Sequence, residues 1–209
     1  MYLYLFFEKV ILLYTKKGID FIIFVSKMKT LIIHPEDYTT DFLETIYYGL
    51  DNKTVLRNEF SVAQVCALIE SHDRVFMMGH GSPSGLFSME LSTEFSPFAV
   101  NDKMVEALSS KKNNYFIWCH ADIFVRNNNL KGFSTGMFIS EPDEATLYNV
   151  FIDDNALIEN SNSSFSNIVS KLNMETPEEM YFKVKQQYFE QNSANPIAEY
   201  NASRLFLFQ

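Results

Sequence analysis

The sequence predicts an α/β protein, a three-layer sandwich in which a mostly parallel sheet is covered by helices on both faces. Three observations predict it. Short runs that are apolar almost end to end recur along the chain, at 29–34, 74–79 and 115–119 among others, and such strands suit a parallel sheet buried on both sides. Between these runs lie amphipathic stretches with the helical period, the crossovers that parallel strands require. The chain's 209 residues, 47% of them hydrophobic and 21% charged, suffice for one domain with a sizeable core, or one domain with a small appendage.

Taken in order, residues 1–27 are strongly apolar but interrupted by Glu8, Lys9, Lys16, Lys17 and Asp20. No run in them reaches the roughly 18 apolar residues of a spanning helix. They also lack the charged start and small-residue cleavage site of a secretory signal. Three readings stay open for this extension: a start site assigned too early, a membrane-surface anchor, or a real extra element. Membrane contact is expected only if 1–27 is real, and residues 28–209 are read as the α/β domain with a helical C-terminal part.

KTLIIHPED (29–37) reads as a buried strand ending at Pro35. TTDFLETIYYGL (39–50) has apolar residues at 42, 43, 46, 47 and 50, a helical spacing with Thr40 or Asp41 as cap. KTVLRN (53–58) is a short strand, and SVAQVCALIESH (61–72) a helix with Ser61 and Gln64 in capping-box spacing. RVFMMG (74–79) is the third strand. A longer connection then leads to a helix near 101–111, and YFIWC (115–119) is the fourth strand. A fifth is expected from Gly136 to about Ser140, followed by a helix opened by Pro142. Further helices are expected near 163–172 and 176–191, the latter capped by Thr176 with Pro177 in its first turn. The Asn-rich 127–129 and the Asn/Ser stretch 160–166 read as solvated loops.

The formal net charge of −9, with no Lys/Arg cluster longer than two residues, argues against a nucleic-acid partner. Two cysteines, Cys66 and Cys119, make no disulfide framework, and a reducing, cytoplasmic setting is the expectation. Neither a CxxC pair nor an HExxH run is present, so neither a metal site nor any other cofactor is expected. Cys66 falls on the apolar side of its helix and reads as a packed thiol.

The chemistry concentrates at two strand ends. In open parallel sheets, ligands bind beyond the carboxyl ends of the strands. His80 follows the third strand and Cys119 ends the fourth; if those strands are neighbours, about 4.8 Å apart, the two side chains can converge on one substrate. A thiol peptidase needs a nucleophile, a proton carrier and donors for an oxyanion. Cys119 suits the first role and His80 the second, since imidazole titrates near neutral pH. The N–H groups of Gly81 and Cys119 suit the third. Ser82 and Asp122 are candidates for a substrate pocket, with a helix cap as the alternative for Asp122.

These residues resemble the caspase-like cysteine peptidases, a superfamily that includes metacaspases, legumains, gingipains, separases and CHAT domains. Its pattern is one apolar run ending in His-Gly and a second ending in the catalytic Cys, here VFMMGHG (75–81) and YFIWC (115–119). The resemblance covers roughly 29–150. It implies a caspase-like sheet, His80 as acid and base, Cys119 as nucleophile, Gly81 at the oxyanion position, and a peptide or protein as substrate. The chain departs from the caspase signature around the nucleophile, and Ile117 stands where metacaspases carry an acid. Specificity therefore does not carry over, and the oligomeric state stays open. The rival expectation is an interaction or ligand-binding module, either an inactive caspase-like domain or a flavodoxin-like one with Ser82, Ser84 and Gly85 as phosphate donors. Against the latter, the chain lacks a full glycine-rich phosphate loop.

Overall fold

The structure is a computed structural model that describes residues 13–15, 18–20, 28–58, 61–88 and 97–209. Most of the 1–27 extension lies outside the described residues, as do 59–60 and 89–96. Within the extension, β1 (Leu13–Thr15) and β2 (Gly18–Asp20) pair as an antiparallel hairpin.

The main sheet begins with β3 (Thr30–Ile33), β4 (Lys53–Leu56) and β5 (Arg74–Met78). A small antiparallel sheet follows, built from β6 (Gly81–Ser82), β7 (Gly85–Phe87) and β8 (Phe98–Val100). The chain then returns to the main sheet with β9 (Asn114–Ile117), β10 (Gly132–Thr135) and finally β11 (Leu205–Phe208). The spatial order is β11-β10-β9-β5-β3-β4. All neighbours are parallel except β11, which runs antiparallel on β10. The α/β, mostly parallel expectation holds.

Strand residues alternate between two cores, as the period of two demands. Leu31, Ile33, Val75, Met77, Phe116 and Trp118 face one side. There they meet α1 (Val62–Ser71), α2 (Val105–Ser109) and α3 (Ala121–Asn127). Ile32, Phe76, Met78, Tyr115 and Ile117 face the other. That side is covered by a 3-10 helix (Tyr38–Ile46), α5 (Ala156–Lys171), α6 (Pro177–Gln191) and α7 (Pro196–Ala202). The remaining helix, α4 (Pro142–Leu147), lies between β10 and α5 in sequence. Burial of both sheet faces is why the strands read as unbroken apolar runs.

Several local expectations are corrected. The helix expected at 39–50 is a 3-10 helix, and its cap is Asp37, whose side chain accepts from Thr39 N–H. Its buried residues Thr40, Leu43 and Ile46 recur every third position, the 3-10 period rather than the α period. The fifth strand is Gly132–Thr135, not 136–140. Pairing with β9 ends at Ser134 opposite Phe116, and Met137, Phe138 and Ile139 are buried as a crossing segment instead of as a strand. The stretch 160–166 is helical and largely inward-facing: Ser161 bonds Tyr188 Oη at 2.5 Å, and Asn162 donates to the Ser140 carbonyl at 3.0 Å. The hydroxyl of Ser161 and the amide N–H of Asn162 thus find partners inside the fold instead of water, while Asn162 Oδ1 has none.

Candidate active site

The strand order reverses around β3, with β4 on one side and β5 on the other. Such a reversal opens a crevice at the carboxyl ends of the strands. A cavity of about 30 Å³ sits there, and its lining includes Thr40, His80, Cys119, Thr135, Phe138 and Ser140. Three strand ends, those of β5, β9 and β10, thus contribute to one cavity, together with Thr40, Phe42 and Leu43 of the 3-10 helix. That volume is enough to hold a bound water.

Register explains why His80 and Cys119 line the same cavity. Along the β5–β9 ladder, Val75 pairs with Asn114, Phe76 with Tyr115, Met77 with Phe116 and Met78 with Ile117. The ladder's last link is Gly79 N–H to the Ile117 carbonyl at 3.1 Å. The same sequence separation joins His80 to Cys119, each two residues beyond the end of its strand, β5 or β9. Cys119 packs against the Met78 and Ile117 side of the sheet. Trp118, pointing the opposite way, is buried with Phe116 and Phe124 and anchors the strand end.

The turn carrying Cys119 is tightly specified. His120 has φ of +66°, the left-handed region that costs a non-glycine residue energy. Its carbonyl starts α3 by accepting from Ile123 and Phe124 N–H. Thr135 Oγ1 donates to the Trp118 carbonyl at 2.9 Å, in full burial, and holds the turn from β10. Cys119 Sγ donates to the Phe138 carbonyl at 3.5 Å. Burial pushes its thiol up to about 12, with the Glu144 carboxylate adding to the effect. At rest the sulfur is therefore a protonated thiol.

His80 is partly exposed and held from the β3 side. Its Nε2 lies 2.6 Å from Thr39 Oγ1. Thr39 Oγ1 in turn donates to Asp37 Oδ1 at 2.8 Å, and Thr39 N–H donates to the same oxygen at 2.9 Å. Asp37 Oδ2 and Glu141 Oε1 stand 3.7 and 3.6 Å from Nε2. Burial works to raise the Asp37 carboxyl, but the two Thr39 bonds and the charge of His80 bring it below its ordinary value. Asp37 and Thr39 were not singled out from sequence as site residues. The available signal was the Asp-x-Thr spacing just after a strand, which favours a side chain folding back onto the backbone two residues on.

The other candidates lie elsewhere. Gly81 opens β6 opposite Leu86, and a Cβ there would overlap the Trp118 ring, so glycine is required for close packing. Phe87 N–H donates to the His80 carbonyl at 2.9 Å. Antiparallel pairs alternate between bonded and non-bonded, so Gly81 N–H points away from β7 and stays outside that ladder. Ser82 is not part of the cavity lining: its carbonyl accepts from Trp118 Nε1 at 3.1 Å and its Oγ from Ser84 N–H at 3.2 Å. Asp122 is also outside the lining; it is buried in the first turn of α3 and paired with Arg126 at 3.5 Å. Cys66 is half-buried on α1, against the core that holds Val65 and Ile69. Among the described residues, no group of three His, Cys, Asp or Glu is arranged to hold a metal, and no helix is long and apolar enough to cross a membrane.

No protein-family model matches this chain, and no curated protein matches it.

Proposed function

We propose that this chain is a caspase-like thiol peptidase in which Cys119 is the nucleophile and His80 the proton carrier. The observation that carries the reading is their presence in the lining of one cavity, each two residues beyond the end of one of two adjacent parallel strands at the sheet's carboxyl edge. His80 removes the thiol proton as sulfur attacks the scissile carbonyl. It then gives that proton to the departing amine, leaving a thioester on Cys119. Water, deprotonated by His80, releases the acid and restores the thiol. The resemblance assigns the oxyanion to the Gly81 N–H, although Gly81 is not among the residues that line the cavity.

The raised thiol argues for proton transfer during attack instead of a standing thiolate–imidazolium pair. The resting cavity is small, and the segment 136–141 and the 3-10 helix both contribute to its lining. The same two observations favour a second reading, a non-catalytic interaction domain in which Cys119 is a packed thiol. Treatment with a panel of peptidyl acyloxymethyl ketones, followed by mass mapping, separates the two. The peptidase reading expects an adduct on Cys119 that Cys119→Ala abolishes and His80→Ala strongly slows. No adduct from any probe, or one that survives Cys119→Ala, overturns it.

A further inference from the structure

We propose that Asp37 and Thr39 form a positioning relay that fixes the His80 proton on Nε2 and leaves Nδ1 as the nitrogen that exchanges protons in the cavity. The inference deepens the reading of His80 as proton carrier and rests on it for its consequence, though not for its geometry.

The derivation is a count of protons. Thr39 Oγ1 carries one hydrogen. An ionised carboxylate only accepts, so the 2.8 Å contact with Asp37 Oδ1 uses that hydrogen. The 2.6 Å contact with His80 Nε2 must then run the other way, with Nε2–H donating to Thr39 Oγ1. This holds for the neutral ring and for the imidazolium alike, so Nδ1 is the site whose occupancy changes.

The relay is anchored. Asp37 caps the 3-10 helix, accepting from both the N–H and the hydroxyl of Thr39, so the two residues fix each other. Thr40, the next residue, is buried and bonds the buried His34 at 3.2 Å. The charged groups facing His80 come from two elements, Asp37 from the β3 side and Glu141 from the segment after β10. Both are carboxylates. Asp37 and Thr39 are not among the residues that line the cavity, and act only through His80.

The test is imidazole nitrogen NMR on protein labelled at histidine, with the His80 signal assigned from a His80→Gln variant. The expected result is a neutral His80 protonated on Nε2, a tautomer lost in Thr39→Val, kept in Thr39→Ser and weakened in Asp37→Asn. A wild-type His80 protonated on Nδ1, or a tautomer indifferent to Thr39→Val, overturns the relay. The wild-type measurement decides the tautomer even if Thr39→Val fails to fold. A parallel arm follows Cys119 labelling by a peptidyl ketone, which Thr39→Val is expected to slow about tenfold or more. The expected tautomer without any Cys119 labelling supports the relay and sinks the peptidase reading. Cys119-dependent labelling with the wrong tautomer does the reverse.

Discussion

Alkylation of Cys119 by iodoacetamide as a function of pH tests the electrostatics of the site directly. The perturbation is pH itself, applied to a Cys66→Ser variant so that Cys119 is the one remaining thiol. An ordinary thiol ionises near 9.0, and burial moves Cys119 to about 12. At any pH below both values, that difference leaves about a thousandfold less thiolate. A thiolate of higher basicity is the stronger nucleophile, with a Brønsted slope of about 0.4–0.5, which returns roughly 20- to 30-fold. The net expectation is alkylation some 30- to 50-fold slower than a free thiol at neutral pH. The rate should still be climbing past pH 10. Mass spectrometry with quenching at timed intervals gives the profile. A fast plateau with its midpoint below pH 7 would show a standing thiolate–imidazolium pair and refute the argument from burial.

Other consequences concern stability. His34 is fully buried, bonded to Tyr47 Oη at 3.0 Å, and held neutral with its pKa lowered from 6.5 to about 4, chiefly by burial. The unfolded chain binds that proton first as pH falls. The stability it contributes is therefore complete above 6.5 and lost towards 4, about 3 kcal/mol in all. Urea midpoints against pH should show this slope in wild type and a flatter one in His34→Gln; equal slopes would exclude His34 as its source. Gly81→Ala drives a Cβ into Trp118 and should cost about 1–3 kcal/mol, whereas Gly49→Ala, with nothing within 4 Å, should be near neutral by thermal melting. Thr135→Val removes the buried donor to the Trp118 carbonyl and should cost about 1–3 kcal/mol. The same variant should also alter Cys119 alkylation, because it loosens the turn that carries the thiol.

Much of the fold was legible because parallel strands buried on both faces leave continuous apolar runs, as at Leu31–Ile33, Val75–Met78 and Tyr115–Ile117. The position of His80 and Cys119 followed from those runs, since each residue comes just after one. Less legible were elements whose burial depends on partners far along the chain. Ser161 and Asn162 look solvated in sequence but are enclosed by Tyr188, Asn201 and the Ser140 carbonyl. β11 is a short terminal strand whose pairing with β10 spans some seventy residues. Asp37 and Thr39 were overlooked for the same reason, because the His80 contact that gives them meaning lies 41 positions away. The cavity's small size and the bond from Cys119 to Phe138 depend on how 136–141 crosses the strand ends, which no local pattern encodes.

The central claim is that Cys119 cuts peptide bonds with His80 as its partner. The most direct measurement incubates the full chain with a broad library of peptides and sequences the new termini, wild type beside Cys119→Ala. The account predicts cleavage with a reproducible preference at the residue before the cut, absent from Cys119→Ala. Cleavage that persists in Cys119→Ala, or a wild type that cuts nothing in the library, would contradict it.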